Sequence, residues 1–580
     1  MSGSMWLGPS ELRVGLGCMR LSTDADRDEE VGLATIAAAI AAGVTVFDTG
    51  HAYGQTAAEA GHNERLLARA LRAAGAERRA RIVTKCGMRR ADGAWVADGR
   101  SKAILADCEA SLTALDGLPI DLLLIHAPDP RTPWRTTVRA LGRALDGQMV
   151  RRIGLSNVNR RQLDEALDLV DVSAVQVAIS VLDRHAILGG IVERCESRRI
   201  TVIAHSPLGG PRRASGLARN SVLSRIAAHH DVTAAEVAIA WVLSLSATLV
   251  AIPGARRPGT ALSSAHAAGL ELDASARAQL DAAFGRPRPA PRRAAVDGAE
   301  IAMVMGIPGA GKSRVAAEYV ERGYRRLNRD ERGGSLRGLA GALDVDLATG
   351  TRRFVLDNTY LTRATRSDVI DTANRHGVPV RCIWVDTPLA QAQVNMVERL
   401  LDRFGALPSP SELAAVSRRE PGVLTPTSQM RTLRELEPPA LDEGFAAIDH
   451  VRFTRSPSAR PNAGLYVAAG VLTRSGWQAT IGLGDPSAPH LVFDWVPGGD
   501  VGGIDELVAR LAGEIPAKVE GAVCVHPGGP PACWCRPPLP GLLLAFARAH
   551  AVDTARSTLI GTSAAHRTVA STIGARYIAA

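Results

Sequence analysis

Along the first half of the chain, short β-branched apolar runs alternate with longer amphipathic stretches. The runs VGLGCM (near residue 14), VTVFDTG, RIVTKCG, IDLLLIHAP, RRIGLSN, AVQVAIS, ITVIAHS and TLVAIPG read as eight strands. Segments between them, such as HNERLLARALRAA and RQLDEALDLV, carry a helical period. Eight β/α repeats in about 270 residues predict a TIM (β/α)8 barrel over residues 1–285.

Two stretches interrupt the alternation. GRPRPAPRRAAVDG (285–298) and RSPSARPNAG (455–464) are rich in Pro and Arg and carry no apolar period. They set the expected organisation: a barrel over 1–285, a linker over 286–299, a second α/β domain over 300–455 and a small third α/β domain over 464–580.

Composition adds little to this outline. The chain has 580 residues, 46% hydrophobic and 22% charged, as expected of a soluble globular protein. The longest uncharged stretch, VGLATIAAAIAAGVTVF, is broken by Gly43 and is too short to span a bilayer. The N-terminal MSGSMWLGPSELR lacks the charged and apolar regions of a signal peptide. A cytoplasmic protein with no membrane partner is expected. The net charge of +9 would favour a polyanionic partner, but it comes mostly from Arg, and Arg/Ala-rich chains often reflect base composition rather than function. Five of the eight cysteines are scattered, as buried thiols usually are, while Cys524, Cys533 and Cys535 cluster.

In a TIM barrel the active site lies at the C-terminal ends of the strands. Those ends carry, in order, Asp48, Lys85, His126, Ser156 with Asn157, Gln176, Ser206 and Arg256. Ser and Asn are ordinary where a chain turns. Asp, Lys and His on consecutive strands are not, because buried charges need partners. They form a coherent set. Tyr53 lies five residues past Asp48, so its hydroxyl can reach the barrel mouth. Lys85 is expected to lower the Tyr53 pKa, Asp48 to hold Lys85 charged, and His126 to hydrogen-bond a substrate carbonyl.

FDTGHAYG, GHNERLLARAL, VTKCG, LLLIHAP, IGLSNV and AHSPLG, in this order and spacing, resemble the aldo-keto reductases across the whole first domain. The resemblance implies Tyr53 as general acid in a tetrad with Asp48, Lys85 and His126. It implies that Ser156, Asn157 and Gln176 hold a nicotinamide amide. Ser206, Leu208 and Arg256 would contact the pyrophosphate and adenosine end of NADPH. After IPGARRP the family usually has an acidic residue and an Asn that grip the adenine. Here Ser263 and Ser264 stand in those places.

GIPGAGKS (306–313) fits G-x-x-x-x-G-K-[ST] and follows the strand-like IAMVM. Backbone N–H groups of such a turn cradle phosphates, so a P-loop NTPase-type α/β domain that binds ATP is expected. Gly306, Gly309 and Gly311 shape the loop, Lys312 neutralises the β- and γ-phosphates, and Ser313 ligates Mg²⁺. YRRLNRD ends in Asp330, suited to act as base for an alcohol. RRFVLDNT ends in Asp357, a ligand of an Mg²⁺-bound water or an acceptor contact. Arg322, Arg325, Arg326, Arg329, Arg332 and Arg337 surround Asp330 in the sequence, which fits a phosphate-bearing acceptor. Arg329, Arg332 and Asp357 are the candidate substrate contacts.

The loop, NRD, DNT and ELEPPALDEGFAAIDHVRF together resemble the kinase domain of polynucleotide 5′-hydroxyl kinases over about residues 300–455. By that resemblance Asp330 deprotonates the 5′-OH of a nucleic-acid end, RNA slightly favoured over DNA. Arg399 is the lid arginine on the transferring phosphoryl group, with Arg403 the alternative.

In CVHPGGPPACWCRPPLPG, Cys524, His526, Cys533 and Cys535 offer a Cys₃His set for a structural Zn²⁺. LPGLLLAFARAHAVDTARSTLIG resembles the C-terminal half of haloacid-dehalogenase-type phosphatases, and the ligand pattern resembles their zinc-bearing branch. The resemblance fails where their chemistry is done. Val467 and Ala469 stand for the two aspartates of D-x-D-G, Pro537 for the lysine, and Gly561-Thr562 through His566 for the magnesium-binding acids. No aspartyl-phosphate forms without the aspartate. The expectation is a zinc-stapled HAD-like pseudophosphatase.

The chain as a whole therefore reads as an ATP-dependent polynucleotide 5′-OH kinase fused to an NADPH-dependent aldo-keto reductase acting on a small carbonyl, in nucleic-acid repair or processing. Two alternatives stay open: the barrel as an NAD(P)H-binding sensing or scaffold module, and a small-metabolite kinase–reductase.

Overall fold

The computed structural model describes residues 6–8, 10–91, 93–285, 298–420, 422–455, 459–482, 487–499 and 502–580. The expected linker 286–299 lies outside the described residues except at 298 and 299, and so does the 456–458 part of the stretch 455–464. The first five residues of the N-terminal segment also lie outside them. The chain divides into two compact units, Met1–Arg288 and Pro289–Ala580.

The first unit is a closed parallel barrel. Its strands are β1 (Leu16–Gly17), β2 (Val46–Asp48), β3 (Arg81–Cys86), β6 (Leu122–Ile125), β7 (Ile153–Ser156), β8 (Ala174–Ala178), β9 (Thr201–His205) and β10 (Leu249–Ile252), paired in that order. A hairpin of β4 (Met88–Ala91) and β5 (Ala94–Ala97) follows β3. Parallel bridges from Val14 to Ala251 and from Gly17 to Gly254 join β1 to β10 and close the ring. All eight expected strands are present.

Strand periodicity sorts the side chains. Val46, Val83, Leu122, Leu124, Ile203, Val250 and Ile252 fill the barrel interior together with Trp6 and Leu7. Their sequence neighbours Phe47, Ile82, Leu123, Ile125, Val202 and Leu249 face the surrounding helices. With the interior packed by aliphatic layers, polar groups are left to the strand C-termini.

The second unit contains two parallel sheets. The first runs β12 (Arg325–Leu327), β13 (Arg353–Asp357), β11 (Glu300–Met305), β14 (Val380–Asp386), β15 (Ala447–Arg452). The second runs β18 (Val519–Cys524), β17 (His490–Trp495), β16 (Leu465–Ala468), β19 (Thr558–Gly561), β20 (Arg576–Ala579). A helix that follows β14 of the first sheet packs into the core of the second. Val394, Met396, Val397, Leu400 and Leu401 of the helix Leu389–Phe404 pack with Tyr466, Val492, Trp534 and Leu543. Among the described residues no helix is long and apolar enough to cross a membrane.

Candidate functional site

At the mouth of the barrel, Lys85 Nζ donates to Asp48 Oδ1 at 2.6 Å and to the Thr49 carbonyl at 2.8 Å. Gln176 Nε2 donates to the other Asp48 oxygen at 2.6 Å. Asp48 and Lys85 are 3% and 2% exposed, so the pair is stable there only because its hydrogen bonds replace lost water. The Lys85 ammonium lies 5.0 Å from the centre of the Tyr53 ring. Tyr53 and His126 meet edge to face at 5.7 Å, and Trp95 of the hairpin stands 6.0 Å from Tyr53 and 5.8 Å from His126.

Burial raises the Tyr53 phenol above its ordinary value, outweighing the opposing pull of Lys85. The sequence expectation that Lys85 leaves this pKa lowered is thus corrected: desolvation is the larger effect. Burial, helped by Lys85 and His205, holds His126 down to about 3, so its imidazole is neutral. His126 Nδ1 is buried without a hydrogen-bond partner.

A cavity of about 290 Å³ opens over these groups, lined by Asp48, Tyr53, His126, Ser156, Asn157, Gln176, Ser206 and Leu208. The expected residues converge on one pocket with two exceptions, Lys85, which is buried behind Asp48 and Tyr53, and Arg256. Arg256 does not line it; its guanidinium pairs with Asp24 at 3.3 Å and Asp26 at 2.9 Å. Ser263 donates to Glu236 at 2.9 Å, and Ser264 is buried.

His205, which no motif marks, also lines the pocket. Its ring bonds Asn157 Oδ1 at 3.1 Å and Ser206 Oγ at 3.2 Å. Asn157 and Ser206 both hold left-handed backbone, φ 55° and 50°, conformations that cost free energy for non-glycine residues and gather at functional sites. Trp95 belongs to the short β4–β5 hairpin after β3, which lies outside the strand–helix alternation of the barrel.

In the second unit the phosphate loop leaves the C-terminus of β11 and enters the helix Lys312–Glu321. Gly306, Gly309 and Gly311 have φ of 151°, 84° and 93°. A Cβ on Gly309 would stand 2.4 Å from the Ala392 carbonyl, so the loop leaves no room for a side chain there. Asn395 donates to the Gly309 carbonyl at 2.8 Å and Gln429 to the Pro308 carbonyl at 2.9 Å.

Lys312 donates to the Ile307 carbonyl at 3.1 Å. Burial brings it down to about 8, with Asp357 and Asp330 pulling upward and Arg399 downward. The charges of Asp357, Asp330 and Arg399 thus all act on the Lys312 ammonium. Asp357, 2% exposed, pairs with Arg326 and accepts from Asn328 Nδ2 at 3.3 Å. The strand expected through Asp330 stops at Leu327. Asn328 caps the short helix Arg329–Arg332, its Oδ1 accepting from the Asp330 N–H at 2.6 Å, and the Asp330 side chain is exposed.

Of the arginines near Asp330, Arg322 stacks on Tyr319 and Tyr324, Arg325 pairs with Asp346 and Arg326 with Asp357. Arg329, Arg332 and Arg337 are exposed. Arg403 is held by Glu420, whereas Arg399 bonds only the Gly422 carbonyl, at 3.4 Å, among the contacts described. Ser313 is exposed at the start of the helix.

Cys524, His526, Cys533 and Cys535 place their ligand atoms within 4.8 Å of one another. Cys524 Sγ lies 3.7 Å from Cys533 Sγ and 3.3 Å from Cys535 Sγ; His526 Nδ1 lies 3.4 Å and 3.2 Å from Cys524 and Cys535. Tetrahedral Zn–S bonds near 2.3 Å would set such atoms about 3.5–3.8 Å apart. The donor set fits the ion, and the cluster would open by a few tenths of an ångström to take it, since the 3.2, 3.3 and 3.4 Å separations are shorter than that spacing. Val467 and Ala469 are buried at the C-terminal end of the central strand β16, and His566 Nδ1 accepts from the Thr562 N–H at 3.2 Å.

A model of the aldo/keto reductase family matches residues 13–284, and a model of an AAA domain matches residues 301–413. The 6-dehydroglucose reductase of Agrobacterium fabrum is 32% identical over 253 residues, 42% of this chain and 84% of that protein. The methylglyoxal reductase of Escherichia coli is 30% identical over 278 residues, 47% and 92% of the two chains. A solved structure of an aldo/keto reductase from Klebsiella pneumoniae, in complex with NADP and acetate, has 25% identity and a TM-score of 0.41, covering 48% of this chain and 92% of that one.

Proposed function

The chain belongs to the aldo/keto reductase family, and from that premise we propose that it is a two-activity enzyme: an NADPH-dependent carbonyl reductase in its first unit and an ATP-dependent polynucleotide 5′-hydroxyl kinase in its second. The observation that carries the first activity is the buried Asp48–Lys85 pair set under Tyr53, with a neutral His126 beside it.

NADPH supplies the hydride when bound, and the pocket's own residues do the rest. Ser156, Asn157 and Gln176 would hold the nicotinamide amide, and Ser206 with Leu208 the pyrophosphate side. Burial keeps the Tyr53 phenol protonated at neutral pH, as a proton donor must be. When the carbonyl oxygen takes that proton, the Lys85 ammonium stabilises the phenolate left behind. Neutral His126 can donate a hydrogen bond to the same oxygen. Trp95 stands edge to face beside both Tyr53 and His126. The names of the two relatives, reductases of 6-dehydroglucose and methylglyoxal, support a small carbonyl substrate.

The AAA-domain match and the grouping of Lys312, Asp330, Asp357 and Arg399 support the kinase reading. Lys312 and Arg399 would neutralise charge on the transferring phosphoryl group, Ser313 would ligate Mg²⁺, and exposed Asp330 would take the proton of the attacking hydroxyl. Arg329 and Arg332 would meet the phosphates of the acceptor strand. The third sheet, with Val467 and Ala469 where a nucleophile and an acid would be needed, is read as a zinc-stapled HAD-like module without phosphatase turnover.

The test is NADPH oxidation with a panel of aldehydes. Turnover supports the reductase; tight NADPH binding with no aldehyde consumed would make the barrel a sensing module. Phosphorylation of the product alcohol in place of a 5′-OH oligonucleotide would favour a small-metabolite kinase–reductase.

A further inference from the structure

We infer that the Cys₃His loop braces the nucleotide site through Trp534, so that metal occupancy there sets the affinity of the phosphate loop for ATP. The inference rests on the nucleotide and zinc readings above. Trp534 lies between two of the four ligands and is 2% exposed. Its indole N–H donates to the Leu424 carbonyl at 3.0 Å. Thr427 Oγ1 donates to the Pro531 carbonyl, in the same loop, at 2.7 Å. The Cys₃His loop therefore grips the stretch 422–429 at two points.

That stretch is also the wall of the phosphate site. Gln429, 0% exposed, donates to Pro308 inside the phosphate loop at 2.9 Å. At its other end Gly422 accepts from Arg399. The Trp534 backbone has little play: a Cβ on Gly541 would stand 2.4 Å from its carbonyl oxygen. With Zn²⁺ bound, the ligand loop holds one geometry. Without it, thiols at 3.3–3.7 Å have no common partner, and the loop relaxes. Trp534, Leu424 and Gln429 then lose the fixed positions that hold the phosphate loop. Trp534 is a positioning residue; it touches neither nucleotide nor acceptor.

The experiment uses the full chain and a fluorescent ATP analogue with Mg²⁺. Zinc content is measured directly, the protein is stripped with a zinc-selective chelator, and circular dichroism checks that it stays folded. Stripping is expected to raise the Kd for the analogue at least about tenfold, and added Zn²⁺ to restore it. In the zinc-loaded protein, Trp534→Phe keeps the buried ring but leaves the Leu424 carbonyl without its donor. KM for ATP should rise about fivefold while KM for the alcohol acceptor stays unchanged. An unchanged Kd in folded, zinc-free protein overturns the inference, as does an unchanged KM for ATP in Trp534→Phe or purified protein without zinc. If zinc-loaded protein binds no ATP analogue at all, the nucleotide reading itself falls.

Discussion

The two candidate sites are built on opposite plans. In the barrel, the charged groups are already bonded to one another: Lys85 to Asp48, Asp48 to Gln176, all buried. In the second unit the backbone cradle is fixed by Asn395 and Gln429, while Asp330 is exposed and Arg399 holds a single long contact. A hydride transfer to a small carbonyl rewards a site whose dipoles are set before the substrate arrives. A phosphoryl transfer to the end of a polymer requires an open acceptor side, with the arginine and the base brought to bear once both substrates are present.

That contrast can be broken most sharply in the barrel. Tyr53→Phe removes the proton donor while keeping the ring, and should lower kcat for aldehyde reduction by about 10²–10⁴. NADPH binding, followed by fluorescence, should change little. A comparable loss of cofactor binding would show that Tyr53 holds the site together and does not do its chemistry.

The second unit responds to pH through Lys312. Its folded pKa of about 8 lies below the ordinary lysine value because the ammonium is buried. On the kinase reading ATP prefers the charged form, so affinity should be flat below pH 7 and fall as pH rises through 8. By pH 9 the charged fraction, and with it the affinity, is down about tenfold. A Kd that is level from pH 7 to 9 would place the lysine away from the phosphates.

The smallest effect concerns stability. Burial holds His126 down to about 3 and His205 down to about 4. The unfolded chain binds these protons near pH 6.5, so between there and pH 4 it carries more protons than the folded one. Stability of the first unit is therefore full above pH 6.5 and falls as pH drops. Its Tm at pH 4.5 should lie about 4 °C or more below that at pH 7. His126→Gln should lessen that drop, and an equal drop in the variant would assign it to other groups.

The barrel was legible because its strands alternate with helices eight times and its interior is filled at every second position, leaving Asp48 and Lys85 no role as core. The phosphate loop was legible because its glycines take backbone conformations that no other residue takes cheaply. What the sequence hid depends on distance across the fold. His205 is masked by the Ser206 beside it, and its bond to Asn157 spans strands. The rise of the Tyr53 pKa depends on how deeply the ring is buried, which the neighbouring lysine does not reveal. Arg256 looks like a free cation until Asp24 and Asp26 are folded against it. The helix Leu389–Phe404 is visibly amphipathic, yet nothing along it says that Val397 and Leu400 pack with residues of the third sheet.

The most direct test of the two-activity account is transfer of labelled γ-phosphate from ATP to a 5′-OH oligonucleotide by the wild-type chain and by Asp330→Ala. The account predicts a labelled 5′ end with the first and a loss of about 10²–10⁴ with the second, with ATP binding retained. No transfer by the wild type, or full transfer by the variant, would contradict it.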